Sequence, residues 1–95
     1  EPISVDDMAR AAHLSKYHFI RKFREQTGLT PKRFLNEIRL EAAEHLLLQS
    51  DMTNETIAQQ VGFPDASYFS HVYRRHRGHP PGALRANRRD AAITP

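Results

Sequence analysis

Between Thr53 and Arg85 the apolar positions fall into two helical stripes. Ile57, Ala58 and Val61 stand at i, i+1 and i+4, and Phe69, Val72 and Tyr73 at i, i+3 and i+4. Each stripe is one face of a short helix with polar residues around the rest. The punctuation between them is equally specific. Thr53 and Asp65 are residue types whose side-chain oxygens accept from the free N–H groups of a first helical turn. Gly62 leaves the first helix through a positive φ, which glycine adopts without steric cost. Phe63 is then a plug between the helices, Pro64 blocks continuation and Gly78 ends the second helix. A short helix, a glycine turn and a second helix with a polar outer face make a helix-turn-helix. That unit lays its second helix in the major groove of DNA.

The same pattern occurs earlier in the chain. Ser4 caps a helix that has Asp6 and Asp7 at its positive end and Val5, Met8, Ala9 and Ala12 as its buried stripe. Ser15 caps the next, which turns Phe19 and Phe23 inward and ends at Gly28. Met8-Ala9 and Ala12-His13-Leu14 match Ile57-Ala58 and Val61-Gly62-Phe63 at an offset of 49. Past the turn, Ser15, Phe19, Phe23, Arg24, Gly28 and Pro31 match Asp65, Phe69, Tyr73, Arg74, Gly78 and Pro81 at an offset of 50. A repeat with matched caps and breakers is a strong architectural signal. His13 stands where the second copy has Gly62. Either His13 takes the left-handed conformation at some cost, or the first turn is built differently.

Between the copies, Thr30 caps and Pro31 occupies the first position of a helix running to Gln49, about 28 Å long at ~1.5 Å per residue. Phe34, Ile38, Ala42 and Leu46 at i+4 spacing, joined by Leu35, Leu47 and Leu48, are its expected buried face, with His45 packing beside Leu46 at a subdomain seam. Glu37 and Glu41 are a like-charge i, i+4 pair, so packing rather than surface pairing stabilises this helix. Pro80 and Pro81 start a closing helix through Leu84, Arg85 and Arg88. The expected architecture is all-α and homeodomain-like. A first helix-turn-helix covers 1–29, a long linker helix 30–50, a second helix-turn-helix with its closing helix 51–89, and a flexible tail 90–95. Major-groove faces of B-DNA recur about every 34 Å, so such a linker suits two reading heads one turn apart.

Composition narrows the chemistry. Ninety-five residues, 39% hydrophobic and 8% aromatic, are enough for one folded domain rather than a disordered chain. No apolar run suits a membrane span and the first residues lack a signal-peptide pattern, so no membrane partner is expected. The chain has no cysteine, which excludes disulfides, thiolate metal sites and a cysteine nucleophile. His71, His76 and His79 invite a metal, but His71 and His76 stand about 140° apart around a helix and share no face. No carboxylate set accompanies them, so neither metal nor cofactor is expected. Without a phosphate-cradling loop, a nucleophile elbow or a carboxylate pair in a cleft, the chain does not read as an enzyme.

Net charge is only +3, with pI about 9.7, but its distribution is uneven. Lys16, Arg21, Lys22, Arg24, Lys32 and Arg33 lie against one acid, Glu25; Arg74, Arg75, Arg77, Arg85, Arg88 and Arg89 lie against Asp90. Between Arg39 and Arg74 there is no Lys or Arg, while Glu41, Glu44, Asp51, Glu55 and Asp65 all fall there. Either cluster alone would read as a solvated face. The second cluster begins at the end of the second helix of its repeat, and that placement points instead to two grips on a polyanion.

Taken together, Ile57-Ala58, Gly62-Phe63, Ser67-Tyr68-Phe69-Ser70, Tyr73-Arg74-Arg75, Gly78, Pro81 and Arg85 resemble the signature of AraC/XylS-type transcriptional regulators. The likeness extends from Ser4 to about Arg88, through the weaker first copy and the linker helix. It implies a bipartite DNA-binding domain of about seven helices, two of them recognition helices in adjacent major grooves. It also implies a bacterial cytoplasmic regulator, with an effector or dimerisation domain N-terminal to Glu1. The chain departs from that pattern in lacking the helix that usually precedes Ser4, in Leu84 where an aromatic is common, and in Pro80 where Thr or Ser is common.

Helix geometry selects the readers. With Phe19 and Phe23 inward, the first recognition helix turns out Lys16, Tyr17, Ile20, Arg21 and Arg24, and the second turns out Ala66, Ser67, Ser70, His71 and Arg74. The resembled family makes its base contacts at these positions. Lys16, Tyr17, Ile20, Arg21, Ala66, Ser67, Ser70 and His71 are the candidate base readers. Arg21 leads them, because its fork donates to both O6 and N7 of guanine. Tyr17 and Ile20 suit thymine methyl groups, the alternative for Ile20 being a stray surface apolar residue. Lys16, Arg24, Arg74 and Arg75 suit phosphates. The helix starts at Ser15 and Asp65 offer backbone N–H groups to phosphate, weakened at Asp65 by its own charge. For Lys22, Arg77, Arg88 and Arg89 a solvated face competes with DNA contact. The second head lacks a bidentate reader, so specificity is expected to come mainly from the first.

Double-stranded DNA is therefore the expected partner. The competing reading is a helix-turn-helix used for protein docking, on RNA polymerase for example, which the basic outer faces disfavour. RNA polymerase is also a candidate second partner of a DNA-bound module. Glu41 and Glu44 are its candidate patch, set against a plain solvated helix face.

Overall fold

Ser4, Ser15, Thr30, Thr53 and Asp65 each accept a hydrogen bond from the backbone N–H three residues on. The donors are Asp7 (3.1 Å), His18 (3.2 Å), Arg33 (3.3 Å), Thr56 (3.2 Å) and Tyr68 (2.8 Å). At Ser4 the bond is reciprocated, its own N–H donating to the Asp7 carboxylate at 3.1 Å to complete a capping box. Such caps stabilise a helix by about 1 kcal/mol each. They start the five helices of the computed structural model, which describes residues 4–86: α1 Val5–Ala11, α2 Lys16–Thr27, α3 Pro31–Gln49, α4 Asn54–Val61 and α5 Ala66–Arg77. Residues 81–86 are helical again, opened by a buried Pro81. Arg88 and Arg89, and the tail expected over 90–95, lie outside the described residues.

The chain is all-α among the described residues and divides into two compact units, Glu1–Ile38 and Arg39–Pro95, the division falling inside α3. In the second unit, Leu40, Ala43 and Leu47 of α3 pack with Ile57, Ala58, Phe63, Phe69, Val72 and Tyr73 in one buried cluster. Leu46, Met52, Val61, Tyr68 and Leu84 lie half-buried against it. Phe63 fills the place expected of a plug, stacked on Phe69 with ring centroids 5.4 Å apart. In the first unit the buried positions are Ala9, Pro31 and Asn36, and α2 has no fully buried residue. Phe19 and Phe23 do turn inward but only half-bury, Phe23 meeting Phe34 edge-on at 5.4 Å.

The expected faces of α1 and α3 need correction. Ala12 is exposed, because the helix has already ended and Ala12 is its C-cap. On α3, Phe34, Ile38, Ala42 and Leu48 are exposed, Ile38 by 48%, and His45 is exposed rather than packed. Of the expected face Leu47 is buried and Leu35 and Leu46 are half-buried, and the buried line runs through Asn36, Leu40, Ala43 and Leu47. Steps of 4, 3 and 4 keep a line on one side of a helix, whereas repeated steps of 4 walk about 40° round it each time.

His13 resolves the question of the first turn. It is left-handed, with φ 58°, the one non-glycine residue so placed among those described. The Leu14 N–H then donates to the Ala9 carbonyl at 3.0 Å, as the Phe63 N–H donates to the Ala58 carbonyl at 2.8 Å after Gly62. Both turns thus close the same six-residue loop of a Schellman-type helix end.

Candidate nucleic-acid interface

The outer face of α2 begins with Lys16, Tyr17 and Arg21, all exposed, Tyr17 by 69%. Arg21 lies between two neighbours one turn away on its own helix. Its guanidinium carbon is 6.0 Å from the Tyr17 ring centroid, and its Nε is 3.9 Å from the Glu25 carboxylate. Both partners are on the surface, so neither contact holds Arg21 firmly. Ile20 is half-buried rather than outward, and lines a shallow hollow together with Tyr17, Arg21, Arg24 and Glu25. Its place between the inward Phe19 and Phe23 and the outer face accounts for that. Lys16 approaches Asp6 of α1 at 3.6 Å, and Arg24 is exposed.

On α5 the outer face carries Ser67 and His71, both exposed, with Ala66 and Ser70 half-buried at its edges. Arg74 and Arg75 are exposed in the last turn. The two helix starts differ in their chemistry. At α2 the Ser15 hydroxyl shares a 2.8 Å hydrogen bond with His18 Nδ1 besides accepting from the His18 N–H. At α5 the Asp65 carboxylate occupies the N-terminal end itself. An incoming anion meets a neutral cap at Ser15 and a negative one at Asp65.

Two arginines of the second basic cluster are turned away from this face. Arg77 donates from Nε to Glu44 Oε2 at 3.0 Å and from Nη2 to Glu44 Oε1 at 3.2 Å. The Tyr73 hydroxyl donates to the same Glu44 Oε2 at 3.0 Å. Burial first, and then the Glu44 carboxylate beside it, push the Tyr73 phenol up to about 12. Arg85 donates from Nε to the Leu47 carbonyl at 3.4 Å and from Nη2 to the Ser50 carbonyl at 3.1 Å. It thereby caps the negative end of α3. Arg77 and Arg85 are therefore structural, and the arginine run overstates the charge available to a polyanion. Glu44, offered with Glu41 as a surface patch for RNA polymerase, is committed to Tyr73 and Arg77; Glu41 alone stays exposed.

None of these three was placed correctly by sequence reasoning, though one signal was there. Glu44 lies beside the buried line of α3, four residues after Leu40 and three before Leu47, and is itself half-buried. A carboxylate there needs a donor from the facing helix.

Residues 8–87 match a family model described as a helix-turn-helix domain. The transcriptional activator RhaS of Escherichia fergusonii is 40% identical over 93 residues, a match covering 98% of this chain and 33% of that protein. The chain thus spans about a third of the length of such relatives. Among solved structures, the DNA-binding domain of the global transcriptional factor AdpA, in complex with a target DNA, superposes with a TM-score of 0.88 at 32% identity. That match covers all of this chain and 86% of the other. A regulator from Chromobacterium violaceum, described among AraC-type DNA-binding domain-containing proteins, superposes at 0.81 with 34% identity, covering 93% and 79%.

Proposed function

The chain belongs to the AraC-type helix-turn-helix family, and on that premise we propose that it is the duplex-DNA-binding module of a bacterial transcription regulator working in the cytoplasm. It grips DNA with two recognition helices, α2 and α5, in adjacent major grooves. The observation that carries this reading is the repetition itself. Two capped helix pairs with equivalent turns each leave the outward face of the second helix exposed and mostly polar, with cations along it or at its end. The relative solved on its target DNA matches this chain from end to end.

Arg21 is the principal base reader, its fork donating to guanine O6 and N7 once it leaves Glu25. Tyr17, with Ile20 behind it, supplies an apolar surface for a thymine methyl. Lys16 reads beside them at the start of α2. On α5, Ser67, Ser70 and His71 meet base edges while Ala66 allows close approach. Arg24, Arg74 and Arg75 hold phosphates, joined by the backbone N–H groups at the Ser15 end and more weakly at the Asp65 end.

The test is selection of sites from a random duplex library with the 95-residue chain at physiological salt. Two enriched blocks about 10 bp apart, the stronger containing a guanine, are expected. A single block would reduce α5 to a backbone grip. Absence of enrichment above non-specific background would overturn the reading.

A further inference from the structure

The second recognition helix is tied down by a contact that the first lacks. Tyr73 and Arg77 sit one turn apart on α5 and converge on one carboxylate, Glu44 of α3. Tyr73 is fully buried, and the side chains of Arg77 and Glu44 are only 21% and 26% exposed, so water screens this contact weakly. At the equivalent positions of the first copy stand Phe23, which has no hydroxyl, and Thr27, whose hydroxyl donates to the Phe23 carbonyl of its own helix at 2.8 Å. The residues that make the tie are absent from α2.

We propose that Glu44 is a positioning residue for DNA reading: it sets the rotation of α5 about its own axis, and so the register at which Ser67, Ser70 and His71 meet base edges. The proposal rests on the duplex-DNA reading above. A carboxylate held by a two-pronged guanidinium is fixed in plane as well as in distance. Adding a phenol from the preceding turn gives α5 two anchor points along its length, which resist rotation and sliding together. The reading residues need this more than those of α2. Ser67 and Ser70 have one rotatable bond to a short hydroxyl and cannot compensate for a misplaced backbone, whereas Arg21 reaches its base through a long flexible stem. Ser67 lies six residues before Tyr73, roughly 9 Å along the helix at ~1.5 Å per residue, so a rotation fixed at the anchor is transmitted rigidly to the reader. The head with long side chains works by reach, and the head with short ones works by register.

The experiment compares wild type with Glu44→Gln and Tyr73→Phe. For each, the Kd is measured on the selected site, on that site with the α5 block scrambled, and on that site with the α2 block scrambled. Glu44→Gln keeps an acceptor for the phenol and removes the charge that orients Arg77. It is expected to lower discrimination at the α5 block about tenfold and leave discrimination at the α2 block unchanged, a loss of the size of one mismatched base pair. A purely structural Glu44 would lower the melting temperature and the active fraction without moving that ratio. Unchanged discrimination at the α5 block in folded Glu44→Gln protein overturns the proposal. If that variant does not fold, Tyr73→Phe supplies the same comparison with an expected loss of about threefold, and an unchanged ratio there overturns it equally. A wild-type chain that selects only the α2 block also overturns it while leaving DNA binding intact. A wild type that selects no site at all defeats the DNA reading itself, and this proposal with it.

Discussion

His13 and Gly62 occupy the same left-handed corner of the backbone, 49 residues apart, with φ 58° and 102°. Each is followed by a residue whose N–H reaches back five positions to an alanine carbonyl, Leu14 to Ala9 and Phe63 to Ala58. One turn is built with the residue suited to that corner and the other with a residue that is strained there. The geometry of the motif thus outweighs the local preference of the residue at His13.

His13→Gly is therefore expected to stabilise the chain by about 0.5–1 kcal/mol, since the side chain is exposed and its removal relieves the backbone. Gly62→Ala should act in the opposite sense by about 1 kcal/mol or more. Urea titrations of both variants check the pair, and a destabilised His13→Gly would contradict the account of the first turn.

Arg21→Ala should cost ~1–3 kcal/mol of binding to the selected site and relax one guanine position, while His71→Ala costs less. Competition binding against single-base variants of the site measures both. A larger specificity loss from His71 would invert the ranking of the two heads.

The arginines of the second cluster should separate by salt dependence. Replacing Arg74 or Arg75 with Ala is expected to reduce the slope of log K against log salt by about 1 each, as phosphate contacts do. Arg85→Ala should leave the slope unchanged and instead destabilise the fold by about 1–3 kcal/mol, through the carbonyls of Leu47 and Ser50 that it caps. Salt titrations of binding alongside thermal melts distinguish the two groups.

Tyr73 predicts an alkaline limit. Its phenol titrates near 10 when unfolded and is pushed up to about 12 in the fold, so the folded state favours the protonated form. The stability it contributes is intact below pH 10 and lost as pH climbs from 10 towards 12. Urea midpoints measured across that range should fall, and Tyr73→Phe should flatten the fall.

What could be read from the sequence was whatever depends on neighbours along the chain. The caps at Ser4, Ser15, Thr30, Thr53 and Asp65 and the plug at Phe63 involve partners within a few residues or the immediate helix pair. The inner face Phe69, Val72 and Tyr73 was equally legible, because apart from Ala66 and Tyr68 the rest of α5 is polar. On α3 apolar residues occur on several sides, so Leu47 was legible, but the exposed Phe34, Ile38 and Ala42 looked as convincing as Leu40 and Ala43, which are buried. The roles of Arg77 and Arg85 depend on partners 33 to 38 residues away, and a run of arginines looks alike whether it faces DNA or a carbonyl. Of the candidate site, Lys16, Tyr17, Arg21, Ser67 and His71 are placed outward as helix geometry required, and Ile20 lies deeper because its neighbours on α2 are half-buried themselves.

Three side chains of α5 are fully buried and none of α2 is. The free energy needed to open a helix locally scales with the apolar surface it gives up, so amide hydrogens of α2 exchange through cheaper openings than those of α5. The helix with the longer and more charged outward side chains, α2, is then the less firmly folded of the two. On the duplex-DNA reading proposed above, part of the interaction of α2 with DNA would go into ordering it, so discrimination at that helix would draw on its folding as well as on the contacts of Arg21.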